Sequence, residues 1–459
     1  MTLKNYLENL KSKNVAVIGI GVSNVPLIRL LRGAGIAVTA CDKKGRAALG
    51  AIADELESIG CTLRLGENYL EGLSEDVVFR TPGLHPRYLE DAKSRGCMIT
   101  SEMEVFFDVC PCPIISVTGS DGKTTTTTMI AGLLRAAGKT VHLGGNIGRP
   151  LLADTESIKE TDFAVVELSS FQLMTMQKSP RRAVLTNLSP NHLDVHTDME
   201  EYIRAKSVIC DYQQEGDLFV TNLDVEITRA LAHKVKGEHA FFTRQQSAVE
   251  GKGCFLRENA IWYSDGENER CVLPIKDILL PGVHNIENYM AAICAVQDLV
   301  DDEIIRSYAR TFGGVEHRIE LIRNRRGVRW YNDSIASSPS RTIAGLNSFA
   351  EKVILIAGGK DKGISYEELG PVVNEHVKLL ILCGATAGVI RESVLQAENY
   401  AGLEIVEVDD YTSAVAFADE NSGSGDVVIL SPASTSFDRF KNFEERGRVF
   451  KDLVNGLPE

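Results

Sequence analysis

The feature that most constrains this chain is a recurring alternation of short apolar runs with stretches of helical period. The runs include "NVAVIGI" from residue 14, "IISV" from 114, "FAVVEL" from 163, "RAVLTNL" from 182 and "DLFVTNL" from 217. After "GVEHRIELI" the grammar resumes with "KVILIAGG", "VKLLILCGA", "LEIVEVDD" and "DVVILSPAS". A run apolar on both faces belongs inside a parallel sheet, and an intervening helix supplies the crossover that parallel strands require. The pattern therefore predicts an α/β protein with mostly parallel sheets wrapped by helices. Its 459 residues exceed one core, and at about 150 residues per domain they predict about three. Pro111 and Pro113 precede "IISV" and place the first boundary near residue 110; the resumption of strands places the second near 320. The expected domains are 1–110, 111–320 and 321–459. Within the second, residues 240–275 are choppier and richer in turn signals, which predicts antiparallel strands there.

Composition removes several classes of function. Hydrophobic residues make up 44% and charged residues 24%, and no apolar run is long enough to span a bilayer, so membrane insertion is not expected. The formal charge of −14 opposes nucleic-acid binding, which needs clustered Lys and Arg. The first residues carry lysines without an apolar export core, so the expectation is a cytoplasmic protein. Of the ten cysteines, Cys110 and Cys112 are the close pair, and they lack the C-x-x-C spacing of zinc or redox sites. Anionic ligands must then be held by local dipoles and a few cations.

Three glycine-containing turns are candidates for that task. In the first βαβ unit, Gly19, Gly21 and Asn24 approximate a dinucleotide fingerprint, and Asp42 stands where a ribose-binding acid would sit. The third glycine is missing, so a tight turn without any ligand competes with a nucleotide site. A second loop, Thr81-Pro82-Gly83, follows the apolar stretch "DVVF". The stronger signal is "IISVTGSDGKTTTTTMIAGLL", where Gly119, Gly122, Lys123 and Thr124 spell G-x-x-G-K-T between a strand and a helix. Glycines there let backbone N–H groups reach phosphate oxygens, Lys123 neutralises charge, and a threonine hydroxyl can ligate magnesium. The loop predicts ATP or another nucleoside triphosphate. Glu167, at the end of "FAVVEL", offers a further oxygen for the metal. Taken alone, His192 in "LSPNHLDVH" reads as a structural histidine and Lys206 in "EYIRAKSVI" as a solvated helix lysine.

Together with "TPG", "SEME", "GGNIG", "ELSSFQL", "NHLD", "GVHNIEN", "EHR", "NDS" and "LSPASTSFDRFKNFEERG", these motifs resemble, in order and over nearly the whole chain, the Mur ligases of peptidoglycan precursor synthesis. The resemblance is strongest to the members that add D-glutamate. It implies a Rossmann-like N-terminal domain for a UDP-sugar, a central P-loop-type ATPase domain, and a Rossmann-like C-terminal domain for the amino acid. The implied reaction joins the carboxylate of UDP-N-acetylmuramoyl-L-alanine to the amine of D-glutamate through an acyl phosphate, releasing ADP and phosphate. ATP and Mg2+ are the implied cofactor and metal, the implied partners are these small molecules, and a monomer is expected.

Residue roles follow from the same resemblance. Gly21, Val22, Ser23, Asn24, Asp42, Lys43, Thr81, Pro82 and Gly83 would surround the uridine diphosphate, with Asn146, Ser169 and Gln172 along the muramoyl-alanine. Gly119, Ser120, Asp121, Gly122, Lys123, Thr124 and Thr125 would hold the ATP phosphates. Asn285, Asn288 and His317 would lie on the adenine side, with Arg318 at the γ-phosphate and Asp333 at the ribose. Thr124 and Glu167 would hold one magnesium ion, and His192 with a carbamylated Lys206 a second. Lys362, Ser436 and Phe443 match contacts to D-glutamate. Two departures stand out: Ile335 occupies a position where the family commonly has lysine, for which Arg341 is a candidate substitute, and Asn191 replaces an acidic residue before His192. Rival readings are an L-alanine-adding relative, a nucleotide-binding protein that does not ligate, and an NAD-dependent dehydrogenase.

Overall fold

The computed structural model describes residues 1–189, 196–280, 282–361 and 363–459. Three sheets organise them. The first contains β1 (Val15–Ile18), β2 (Val38–Asp42), β3 (Thr62–Leu65), β4 (Val77–Phe79) and β5 (Met98–Thr100), in the order 3-2-1-4-5 and parallel throughout. The second contains β6 (Ile114–Thr118), β7 (Val141–Gly145), β8 (Phe163–Glu167), β9 (Arg182–Leu185), β10 (Leu218–Asn222), β11 (Glu238–Thr243), β12 (Lys252–Arg257), β13 (Ala260–Asp265) and β14 (Glu269–Pro274). Their order is 14-13-12-11-10-9-6-8-7. The third contains β15 (Glu320–Arg325), β16 (Val328–Asn332), β17 (Val353–Ala357), β18 (Val377–Leu382), β19 (Glu404–Glu407) and β20 (Val427–Leu430), in the order 15-16-20-17-18-19.

The chain divides into two compact units. One comprises Met1–Ile278 with Val283–Arg310 and carries the first two sheets; the other comprises Leu279–Gly282 with Thr311–Glu459 and carries the third. Continuous apolar strands explain both cores: every residue of β6 and of β17 is buried, as strands covered by helices on both faces require. Among the described residues no helix is long and apolar enough to cross a membrane.

Strand order fixes where loops can gather. β1 lies between β2 and β4, and β6 between β9 and β8, so the connections from each leave in opposite directions. The crevice at the carboxyl end of such a strand is where α/β sheets bind ligands. The Gly19 turn follows β1, and the Gly119–Gly122 loop follows β6. In the third sheet β20 is inserted between β16 and β17, so the loops after β16 and β20 emerge side by side.

Antiparallel pairing is narrower than residues 240–275. β11 is parallel to β10 and to β12, and only β12, β13 and β14 alternate in direction. The helix Glu226–Ala232 provides a crossover into β11, whereas Glu258 and Asn259, both left-handed at φ 52 and 55, make the tight hairpin between β12 and β13.

Candidate active site

The phosphate loop is built around two backbone conformations that require glycine. Gly119 has φ 149, and a Cβ there would lie 1.9 Å from Thr186 Oγ1; Gly122 has φ 75, and its Cβ would lie 2.3 Å from Asn288 Oδ1. The N–H groups of Ser120 and Asp121 both donate to Asn187 Oδ1, at 3.1 and 2.8 Å, which fixes the loop against the end of β9. Ser120 Oγ also hydrogen-bonds to Ser189 O and Tyr202 Oη, each at 2.9 Å. The 14-residue helix Lys123–Ala136 follows with Gly122 as its N-cap and no side-chain cap. Its N-terminal dipole thus faces the loop without a side-chain oxygen set against it, a ready anion site. Lys123 folds its ammonium onto Gly119 O at 2.9 Å and Ser120 O at 2.8 Å. Thr125 is half-buried on the first turn.

Behind the loop stands Glu167, the last residue of β8 and 1% exposed. Thr124 Oγ1 donates to its Oε2 at 2.8 Å, and Asn146 Nδ2 donates to its Oε1 at 2.7 Å. A buried carboxylate beside a threonine hydroxyl is a pair of hard oxygen donors suited to magnesium. Lys206 lies on the helix Met199–Asp211, 2% exposed, and donates to Thr118 Oγ1 at 3.2 Å. Its ammonium stands 5.0 Å from the centre of the Tyr202 ring. Burial pushes its pKa down to about 7, the charge of Lys123 pushes the same way, and Glu167 and Asp121 oppose. A buried amine poised near neutrality differs from the solvated lysine that the sequence taken singly suggests.

Asn285 and Asn288 are buried on the helix Val283–Val296. Asn288 Nδ2 donates to Asn285 Oδ1 at 3.0 Å, and Asn288 Oδ1 accepts from Thr126 at 3.2 Å, so this pair packs on the phosphate-loop helix. Ser169 and Gln172 form a reciprocal capping box at the start of the helix Ser170–Leu173, immediately after β8.

At the first sheet, several candidates serve the turn itself. Asn24 is buried and donates to Ile18 O at 2.8 Å, while Asp42 accepts from the N–H groups of Ile20 and Lys44 at 2.7 and 2.8 Å. Both carboxylate oxygens of Asp42 are thus engaged by backbone. Gly21 and Ser23 complete the turn, Val22 stands out at 82% exposed, and Lys43 Nζ lies 3.9 Å from Glu67. Gly19, with φ 89, lets the Thr81 side chain approach, which brings the Thr81-Pro82-Gly83 loop beside the first turn.

In the second unit, Asp333 is 4% exposed and accepts from Ser431 Oγ at 2.8 Å and the Ile319 N–H at 3.3 Å. Burial raises its pKa to about 7 against these two bonds. His317, buried and left-handed at φ 65, has Nδ1 2.9 Å from Asn332 Nδ2 and meets the Phe443 ring edge-on at 6.1 Å. Arg318 is exposed. Phe443 opens the helix Phe443–Asn455, and Ser436 is buried in the loop after β20. Arg341 donates to Ile335 O at 3.1 Å. His192 and Lys362 lie outside the described residues.

Three polar residues that hold these loops were not singled out from the sequence. Asn187 clamps the phosphate loop. Arg446, 1% exposed, donates to Ser334 Oγ, Ser334 O and Ser434 O at 3.0, 2.8 and 3.0 Å, tying the loops after β16 and β20 together. Arg80 is the third. Asn187 lies within "RAVLTNL", Arg446 within "FKNFEERG" and Arg80 directly before "TPG", which was the available signal.

A phosphate loop at the switch point of a parallel sheet, with a buried carboxylate and a buried lysine behind it, defines a nucleotide-dependent phosphoryl-transfer centre. Residues 117–296 match the Mur ligase middle domain and residues 317–434 the Mur ligase glutamate ligase domain. The chain belongs to the Mur ligase family. It is 51% identical to the UDP-N-acetylmuramoylalanine–D-glutamate ligase of Acetivibrio thermocellus, with 99% of each chain covered. The enzyme of the same name from Clostridium botulinum (strain Okra / Type B1) is 48% identical, with 98% of each covered. Among solved structures, UDP-N-acetylmuramate-alanine ligase MurC from Thermotoga maritima shares the fold at TM-score 0.56 and 17% identity, covering 96% of this chain and 99% of that one. MurF from Acinetobacter baumannii does so at 0.56 and 16%, covering 92% and 91%.

Proposed function

We propose that this protein is an ATP-dependent amide ligase that adds D-glutamate to UDP-N-acetylmuramoyl-L-alanine in peptidoglycan precursor synthesis. The observation that carries the chemistry is the bond from Thr124 to Glu167 directly behind the phosphate loop, in a chain whose full-length relatives are named for this reaction. A carboxylate is a poor electrophile, so the γ-phosphoryl group of ATP is first moved onto it, and the acyl phosphate is then attacked by the amine of D-glutamate. The first step brings two anions together, and electrostatic stabilisation has to offset their repulsion. Lys123 and the N-terminus of its helix supply positive potential at the phosphates. Thr124 and Glu167 would hold Mg2+, which when bound spreads the charge of the transferring phosphoryl group.

Lys206 has the environment for carbamylation. Burial that lowers its pKa leaves a neutral amine near pH 7, the form that reacts with carbon dioxide. The product is an anion, which places a carboxylate where a cation would repel metal and phosphate. Thr118 Oγ1 and the Tyr202 ring orient the side chain. Ser436 and Phe443 are assigned to D-glutamate, and Thr81, Pro82, Gly83, Ser169 and Gln172 to the UDP-sugar. We retain three domains, 1–110, 111–320 and 321–459, as the functional division.

The test is phosphate release from ATP with purified UDP-N-acetylmuramoyl-L-alanine and a panel of D- and L-amino acids. D-Glutamate alone should sustain turnover. Preference for L-alanine with UDP-N-acetylmuramate would move the protein to another branch of the family. Failure to form an amide with any combination would refute ligation.

A further inference from the structure

Arg80 is 1% exposed and sits between the two loops assigned to opposite ends of the UDP-sugar. Its Nη1 donates to Thr81 O, Pro82 O and Leu84 O at 3.3, 3.2 and 2.7 Å, so one nitrogen gathers the carbonyls of the loop after β4. Its Nη2 donates to Phe171 O at 2.7 Å and to Thr175 Oγ1 at 3.1 Å, on the segment that carries the Ser169–Gln172 capping box. Thr175 in turn donates to Glu104 Oε2 at 3.3 Å. The planar fork of a guanidinium can serve both loops at a fixed separation, which the point charge of a lysine cannot. A buried cation costs several kcal/mol unless it is well bonded, so replacing it with an apolar residue would be the cheaper way to fill the space. The cost is accounted for if the residue fixes something that packing alone does not.

Resting on the reading above, we propose that Arg80 is a positioning residue that sets the distance between the uridine-diphosphate end and the muramoyl-alanine end of the substrate site. It touches neither ATP nor the reacting atoms. Its influence is confined to ligands that engage both loops at once. UDP, which of these two loops reaches only the one at Thr81–Gly83, does not depend on the span. UDP-N-acetylmuramoyl-L-alanine does, because a fixed span lets both ends be satisfied without reordering the loops.

Two variants test this. Arg80→Lys keeps the charge and loses the fork. Thr175→Val removes one of the far acceptors, leaves Arg80 in place, and serves if Arg80→Lys fails to fold. The expected result is a rise of about 10-fold in KM for UDP-N-acetylmuramoyl-L-alanine in Arg80→Lys, and a smaller rise in Thr175→Val. The inhibition constant of UDP and the KM values for ATP and D-glutamate should stay within about two-fold of the parent, the scatter expected for groups outside the altered contact. An unchanged KM for the UDP-sugar in both variants would overturn the proposal. So would a parallel rise in the UDP and ATP constants, which marks general loosening. A parent protein inactive on UDP-N-acetylmuramoyl-L-alanine and D-glutamate would instead refute the functional reading itself.

Discussion

Replacing Lys206 by methionine should abolish ligation and, at pH 6, make the folded protein more stable. The amine is 2% exposed, and its pKa falls from 10.5 to about 7, chiefly because burial disfavours the charged form. A base with a depressed folded pKa binds fewer protons folded than unfolded between those two values, so stability rises with pH across that window. Below about pH 7 the lysine is charged in both states and the full cost is present. At 1.36 kcal/mol per pH unit the gap corresponds to on the order of 5 kcal/mol. Methionine removes that cost but also the bond to Thr118 and the contact with Tyr202, each worth about 1 kcal/mol. A net gain of about 2–3 kcal/mol at pH 6 remains, shrinking to nothing or reversing by pH 10. Urea midpoints in buffer purged of carbon dioxide would measure it. Trp262 lies in the first unit and Trp330 in the second, so a Trp330→Phe background lets fluorescence follow the unit that holds Lys206. A destabilisation at pH 6, or a difference between variant and parent that does not change from pH 6 to pH 9.5, would refute the reasoning.

Two further outcomes are expected. Gly122→Ala forces a Cβ onto Asn288 Oδ1 at a left-handed position, so kcat/KM for ATP should fall about 100-fold and stability by about 1–3 kcal/mol, read by phosphate release and thermal unfolding. Asp333→Asn should leave the second unit as stable as the parent near pH 4 and more stable at pH 8. The acid's folded pKa is raised from 3.8 to about 7, so the parent loses stability as pH climbs through that window, up to on the order of 4 kcal/mol. Trp330 fluorescence in urea at the two pH values checks it, and a gain equal at both would count against the assignment.

How much of this was legible in the sequence depended on whether a feature is local. Strands buried on both faces, such as β6 and β17, are continuous apolar runs and could be read directly. β7 was not, because "VHLGG" is only half-buried and carries two glycines, so neither periodicity nor an apolar run marks it. The antiparallel hairpin of β15 and β16 was missed as well: "ELIRNR" shows little apolar content, and its pairing rests on the turn at Arg326 and Gly327, both left-handed. The phosphate loop was readable because glycine, lysine and threonine at those spacings serve one physical purpose. Asn24 and Asp42 show the converse. A polar residue that completes its own turn has the same letter code as one that faces a ligand, and only the hydrogen bonds separate the two. Asn187, Arg80 and Arg446 act across 66 to 112 residues of sequence, and no local pattern reports such a meeting.

Lys206 is the instructive intermediate case, because its signal was present and went unused. On the helix Met199–Asp211 the buried positions are Tyr202, Ala205, Lys206, Ser207, Ile209 and Cys210, a stripe with the spacing of a core-facing surface. Arg204, two positions before the lysine, is exposed and paired with Glu200, as a solvated helix cation should be. A lysine inside the apolar stripe cannot be a solvated one, and lysine is almost never fully buried without reason. The helical period therefore already separates the two cations, one held in water and one withdrawn from it. Withdrawal lowers the pKa, the lowered pKa supplies a neutral amine, and a neutral amine is what carbamylation requires. The burial that costs stability at pH 6 is thus the same physical fact that suits Lys206 to its proposed role.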